Sequence, residues 1–324
     1  MLNYLLRRIL YLFPIVFGVM LITFSLFYVV QSPRAMALQI LGPKAPKEAV
    51  ANWLHNRGYD KPLFFNTAPG KPPLDSQFFH YIKSLAIFDF GVSDATGEPL
   101  TEVFKRGAIP SLLITLPSML LGLFLSVSFS LFLVLVRKSL IDLTGVFICV
   151  VLMSFPIMDY VILGQWLIAI KTSYLPAFGF NLEGITTAKY LALPVCIAAV
   201  AGLGAETRLY RSIFLEEINQ DYVRTAKAKG ASPNRILFSH VFKNGLISLI
   251  TLVVASLPFL IMGSLVLESF FGIPGLGNLT ITAIRTSDFA VVRAVVYLGS
   301  LLYILGLLLT DICYAAVDPR IRFQ

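Results

Sequence analysis

Apolar residues in this chain are gathered into six long blocks: Ile9–Val30, Leu112–Val136, Leu143–Ile170, Ala188–Ala205, Gly245–Leu267 and Ala294–Val317. A bilayer core about 30 Å thick takes about 20 helical residues to cross, so each block is long enough to be a spanning helix. The fourth, within YLALPVCIAAVAGLGA, is the shortest and the richest in Ala and Gly. Small residues let helix backbones approach closely, which places this span centrally in a bundle rather than against lipid. Prolines fall in five of the six blocks, at Pro14, Pro117, Pro156, Pro194 and Pro258. Each removes a backbone hydrogen bond and predicts a kink, a feature that ordinary membrane packing also produces.

The basic residues orient the spans. With the N-terminus inside, the inner pieces hold Arg7, Arg8, Arg137, Lys138, seven basic residues from Arg208 to Lys243, and Arg320 and Arg322. The short pieces on the other side hold Lys171, Lys189, Arg285 and Arg293. Segment 31–111 carries nine more, but loops of that length cross regardless of charge. Both termini are expected inside. Arg7 and Arg8 ahead of an apolar run, with Ala35-Met36-Ala37 after it, resemble a secretory leader. The run is longer than the 7–15 residues of a leader core, so an uncleaved first span is expected.

Composition agrees. The 324 residues are 57% hydrophobic and 14% charged, with a mean hydropathy of +0.79, too apolar for a water-soluble domain. The class is an all-α polytopic membrane protein. The net charge of +8 therefore speaks to topology rather than to nucleic acid. Cys149, Cys196 and Cys313 lie far apart in apolar blocks and read as small buried packing residues, not a disulfide frame or a metal site. Ionisable residues within spans are sparse: Asp159 and Asp311, with Glu206 and Glu268 at span ends. A proton or sodium relay would want more. HExxH, a Gly-x-Ser-x-Gly elbow and GxxxxGK are absent, so no catalytic constellation and no ATP site of the chain's own is expected.

One inner loop departs from the oily pattern. In LYRSIFLEEINQDYVRTAKAKG, Ile213, Phe214, Ile218, Tyr222 and Val223 recur at helical spacing. After Tyr222 the bulk falls to Ala226, Ala228 and Ala231, a low ridge flanked by Arg224, Lys227 and Lys229. Gly230 suits the left-handed position beyond a helix end, Ser232 an N-cap and Pro233 the first residue of a new helix. The prediction is helix, sharp corner, helix. Its physics divides evenly between a basic amphipathic helix resting on anionic lipid and a helix that docks into a partner protein.

GIPGLGN, at Gly272–Asn278, follows a span rather than a strand and is no dinucleotide fingerprint. Against a merely flexible connector, the preferred reading is a tight turn at Pro274–Gly277, capped by Asn278, that starts a short helix LTITAIRT. That helix would line the outer mouth of a path, with Arg285 and Asp288 facing water or a partner.

Four segments resemble permease subunits in the dipeptide/oligopeptide branch of binding-protein-dependent ABC importers: LLRRILYLFPIVFGVMLITF, DFGVS at Asp89–Ser93, YVRTAKAKGASPNRILFSHVFKN, and ESFFGIPGLGNLTITAIRTSDF with DICYAAVDPRIRF. They occur in the family's order. In the wider family's E-A-A-x-x-x-G pattern, Ala226 and Gly230 take the second Ala and the Gly, while Arg224 and Thr225 stand for Glu and the first Ala, a departure usual in this branch. Residues 32–80 match nothing nameable.

The resemblance implies six transmembrane helices in an ABC importer type I permease fold in the bacterial cytoplasmic membrane. It divides the chain into 1–30, an external segment 31–111 that helps dock a solute-binding protein, and a permease core 112–324 with a coupling loop at 206–244. Helix 221–230, with Tyr222, Arg224, Thr225, Ala226, Lys227, Ala228, Lys229, Gly230, Ser232 and Pro233, would sit in a cleft of an ATP-binding subunit. Pro274, Gly275, Gly277 and Asn278 would form an outer gate, and Ser256, Pro258 and Met262 would line the path. In the external segment DFGVS is expected to turn near the membrane surface and PPLDSQFFHYIKSLAIF to form a short amphipathic helix at the interface. Implied partners are a second, homologous permease, two ATPase subunits and the binding protein, with ATP and Mg used by the ATPases and no cofactor on this chain. The substrate would be di- or oligopeptides or similar solutes. The other class is a self-contained secondary transporter or channel, which would want intramembrane charges and an internal inverted repeat.

Overall fold

The computed structural model describes residues 2–29, 33–67, 70, 72–182 and 184–317. Val30, Arg320, Arg322 and the end of the closing signature fall outside them. Among the described residues every regular element is helical, and β-pairing is confined to one isolated bridge, Val92 with Pro99. Five helices are long and apolar enough to cross a membrane, and two bent helix pairs raise the number to as many as seven. The expected six spans correspond to the five and the first bent pair.

The chain forms two compact units. The first comprises residues through Arg106 together with Thr280–Ile304. Helix α1 (Leu2–Phe24) runs on through a π-helical turn, Ser25–Val29, and is followed by α2 (Pro33–Leu41), α3 (Lys47–Asn56) and α4 (Gln77–Ala86). Segment 31–111 is thus structured, although no spanning pattern marked it. Ser76 caps α4 by accepting from the Phe79 amide, and Phe78, Tyr81 and Leu85 share one face at helical spacing. That face packs with Met20 and Phe24 of α1 and with Tyr297. The amphipathic helix expected at the interface is therefore seated on a span of its own chain. A second cluster joins Met36 and Ala37 to Val50, Trp53 and Tyr59, with Trp53 and Tyr59 stacked at 5.7 Å.

The second unit spans Gly107–Leu279 and resumes at Leu305. Helix α5 is Leu100–Leu135, so it begins twelve residues before the expected second span, within the segment assigned to the external loop. The predicted third span is broken into α6 (Leu140–Ser154) and α7 (Ile157–Gly164, then a π-helical turn to Ile170), which meet at 91°. Phe155 is extended (φ −91°, ψ 132°) because it precedes Pro156, whose ring disfavours a helical residue before it. Helix α8 (Ile185–Glu217) has 33 residues, well beyond the short span predicted. Its small residues do bring backbones together: a Cβ added at Gly204 would lie 2.5 Å from the Cys149 carbonyl oxygen on α6. Of the three cysteines, Cys149 is buried in this chain, Cys313 is intermediate and Cys196 is exposed.

Helices α9 (Asp221–Ala228), α10 (Pro233–Ile236, then a π-helical turn to Phe242) and α11 (Lys243–Met262) follow. The fifth span stops at Gly263 (φ 73°), five residues earlier than expected. The Leu260 carbonyl near that end accepts from the Thr115 hydroxyl at 2.6 Å, which satisfies a group the helix no longer pairs. Helices α12 (Leu265–Phe271), α13 (Leu276–Arg285) and α14 (Phe289–Val317) complete the chain.

Candidate coupling surface and buried carboxylate clamps

The corner after α9 forms as its residue types dictate. The Gly230 amide donates to the Lys227 carbonyl at 2.9 Å and the Ala231 amide to the Ala226 carbonyl at 3.1 Å, the Schellman pattern that requires a left-handed residue at Gly230. Gly230 has φ 79°. Ser232 then caps α10 by accepting from the Arg235 amide, and Pro233 is its first residue. The helix ends at Ala228, two residues short of the predicted 221–230.

The face that α9 leaves exposed differs from the low alanine ridge expected. Val223 is fully buried and Ala226 is 8% exposed, in a cluster with Leu131, Tyr210, Phe214, Ile236, Leu237 and Val241. Ala226 is therefore part of the anchor that holds α9 to its own chain. A small residue is needed there because α8 and the turn after α10 crowd that side. The face left exposed carries Arg224, Thr225, Lys227, Ala228, Lys229 and Gly230, and beyond the corner Ser232 and Pro233. Tyr222 is half-buried and its hydroxyl donates to the Glu217 carboxylate. Deeper in, a Cβ at Gly245 would come within 2.8 Å of the Phe214 ring, so α11 meets α8 at a glycine.

The loop containing Pro274, Gly275, Gly277 and Asn278 is organised by Glu268, the fully buried carboxylate of α12. Its Oε1 accepts from the Ser111 hydroxyl at 2.8 Å and the Ser264 amide at 3.0 Å. Its Oε2 accepts from the Asn278 amide at 3.0 Å. The Ser111 oxygen accepts in turn from the Leu276 amide at 2.8 Å, so the hydroxyl proton is committed to Glu268. Every contact the carboxylate makes is with a donor, which suits an ionised group. A Cβ at Gly263 or Gly275 would run into both Glu268 and Ser111, and one at Gly277 would lie 2.7 Å from the Ser264 backbone. At Gly275 and Gly277 glycine is required by space, and at Gly263 by space and by its left-handed backbone alike. Asn278 is not the cap predicted: α13 already starts at Leu276, and the Asn278 side chain instead donates to the Ile273 carbonyl at 3.1 Å.

Asp288 departs from its expected exposure. It is 3% exposed and accepts from the Ser93 hydroxyl, from the Asp94 amide at 3.0 Å and from the Val291 amide at 3.2 Å. Asp94 reciprocates by accepting from the Ala290 amide at 3.1 Å, while Arg57 pairs with it at 2.9 Å. DFGVS thus ends in a clamp on the start of α14. Arg285 is exposed, as expected.

The residues named for the path separate. The Ser256 hydroxyl donates to the Val253 carbonyl at 2.8 Å, and Met262 is half-buried. Pro258 is buried against Gly306, where no Cβ would fit, so it is a packing residue of α11 and α14. Glu268 and Asp288 were legible only as carboxylates near span ends. Ser93 was marked only as the end of DFGVS, and Ser111 and Asp94, which complete the two sites, carried no signal.

Comparison with known proteins agrees with this architecture. Residues 108–323 match the family model "Binding-protein-dependent transport system inner membrane component". Residues 1–95 match "Binding-prot-dependent transport system membrane comp, N-term". The glutathione transport system permease protein GsiC of Salmonella choleraesuis (strain SC-B67) is 30% identical over 324 residues, covering 100% of both chains. The protein of that name from Escherichia coli (strain K12) is also 30% identical, and that from Shigella flexneri serotype 5b (strain 8401) is 31% identical over 327 residues, each with 100% of both chains covered. Two family matches that take in nearly the whole chain, on a helical scaffold of membrane-spanning length, show that it belongs to the binding-protein-dependent transport system inner membrane component family, as a multi-pass permease subunit of a bacterial ABC importer of the dipeptide/oligopeptide type.

Proposed function

We propose that this chain forms half of the translocation path for a small peptide-type solute and takes its driving force from a separate ATPase subunit through α9. The other half would come from a second, homologous permease, and a solute-binding protein would deliver the cargo. The observation that carries the coupling is the way α9 is mounted. Val223 and Ala226 sink into a cluster shared with α5, α8 and α11, while Arg224, Lys227, Ala228, Lys229 and Gly230 are exposed. A displacement of such a helix moves the packed elements beneath it as one body, the usual way that a docked subunit drives a rigid-body change. The excess of basic residues around α9 supports an inner-side position for this surface and for both termini. The peptide-type solute follows from the resemblance and from relatives named for glutathione, itself a small peptide.

Gly230 provides the test. Nothing lies within 4 Å of a Cβ built there, so a larger side chain points into open space and leaves the fold intact. Gly230→Ala and Gly230→Leu share the same backbone strain, about 1–2 kcal/mol for an L residue in the left-handed region. Only Leu adds bulk to the docking face. In the reconstituted importer Gly230→Ala retains most ATP-dependent dipeptide uptake. Gly230→Leu reaches the membrane but loses both uptake and solute-stimulated ATPase activity. Normal transport by Gly230→Leu, or uptake by the purified chain alone without an ATPase, overturns the proposal.

A further inference from the structure

In the first unit a cavity of about 290 Å³ lies among α4, the Asp89–Asp94 turn and the start of α14. Arg293 lines it. The guanidinium sits 4.7 Å over the Tyr28 ring and donates one hydrogen bond, at 3.0 Å, to the Tyr59 hydroxyl. Among the described residues no carboxylate is within ion-pair distance of it. Asp94 acts on Arg293 from farther off, but its own oxygens are committed to Arg57 and to the Ala290 amide. The oxygens of Asp288 are held by Ser93 and by backbone amides. Asp89 is at an exposed position and accepts from the Gly91 amide at 3.0 Å. Arg293 is half-buried, and a guanidinium partly withdrawn from water is ordinarily paired, because desolvating it alone is costly. Arg293 has five donors, and one is used.

Gln77 lies on the same wall. Gln77, 7% exposed, donates its amide to the Tyr59 and Lys61 carbonyls at 3.1 and 2.5 Å. Those two bonds fix which end of the amide is which and leave Oε1 without a donor. Tyr81, 8% exposed, lines the cavity as well, with Thr23 beside its hydroxyl. Burial pushes that phenol up to about 12, so it is protonated and able to donate. Buried polar groups without partners are uncommon, and Arg293, Gln77 and Tyr81 all line this cavity.

We propose that the cavity binds a small carboxylate, held by Arg293. The volume is at the lower end of small-molecule sites, which suits an amino acid or a dipeptide. The choice of a dipeptide rests on the solute class proposed above; the need for a carboxylate rests on Arg293. Nothing in the coupling surface enters the argument.

The neighbourhood carries its own reporter. Trp53 stacks on Tyr59 and lies under Arg57 at 4.4 Å, and Trp166 is the only other tryptophan. In the purified full-length chain carrying Trp166→Phe, titration with the dipeptide Gly-Ala gives a saturable change in Trp53 fluorescence. Its C-terminal amide, which lacks the carboxylate, binds about tenfold more weakly or worse, a comparison that needs no change at the site. Arg293→Gln produces the same loss for Gly-Ala. Absence of saturation, equal binding of Gly-Ala and its amide, or unchanged binding in folded Arg293→Gln overturns the site. If that happens while the assembled importer still takes up dipeptides with ATP, the site alone is lost. Specific titration in a chain that supports no ATP-driven uptake leaves the site standing and removes the transport reading.

Discussion

Replacing Glu268 by Gln changes one atom and reverses its hydrogen-bonding role. The carboxylate receives the Ser111 hydroxyl and the Ser264 amide on one oxygen and the Asn278 amide on the other. A glutamine has one acceptor and one donor end. In its better orientation the NH2 faces the Asn278 N–H, so one charge-assisted bond is lost and a buried amide is left unpaired. Bonds to charged groups contribute about 1.5–3 kcal/mol, and an orphaned buried donor costs about 1–3 kcal/mol. A neutral amide is cheaper to bury than a carboxylate, and hydrogen bonds within membranes measure at the lower end. The expected destabilisation is therefore about 2–4 kcal/mol. The assay is thermal inactivation of the detergent-solubilised chain, followed as loss of the monodisperse peak. Glu268→Gln, Ser111→Ala and the double variant are compared in a cycle. Because Ser111 relays the Leu276 amide to Glu268, the two losses share one network and are expected to be markedly non-additive. A Glu268→Gln protein as stable as the parent, or simple additivity in the double variant, would refute the reasoning.

Two further outcomes follow from the packing. Gly204→Leu forces a side chain against the α6 backbone at Cys149, an obstacle that cannot rotate away, and is expected to cost at least the 1–3 kcal/mol typical of overpacking. The measurement is a lowered melting temperature and a reduced amount of chain in the membrane. Asp288→Ala removes the N-cap of α14 and frees Ser93 and the Asp94 amide, a loss of about 3 kcal/mol. Limited proteolysis is then expected to open the chain around residues 90–99, while melting of the remaining helices shifts little.

The loop corner was legible in full because it is local chemistry. Gly230, Ser232 and Pro233 each favour one backbone conformation, and the hydrogen bonds that realise them join residues at most five apart. The breadth of the α9 anchor was not legible. Alanines at 226 and 228 look alike in sequence, yet one turns to the core and the other to solvent. That choice is made by Phe214, Val241 and Leu249, which arrive from other helices. The third span was read as one crossing with a kink at Pro156, because hydropathy does not register direction; the 91° bend at Phe155–Pro156 leaves the apolar content unchanged.

By itself, then, the sequence determined where the chain is oily enough to enter a membrane, which segments end in glycine, serine or proline signals, and which family the pattern belongs to. These are matters of transfer free energy and backbone preference that each short segment carries with it. Only the tertiary structure decided what the isolated carboxylates do. Ser111 and Glu268 are 157 residues apart, and Ser93 and Asp288 are 195 apart. A buried carboxylate is stable only where donors converge on it, and convergence over such distances is a property of packed helices, not of any stretch of chain.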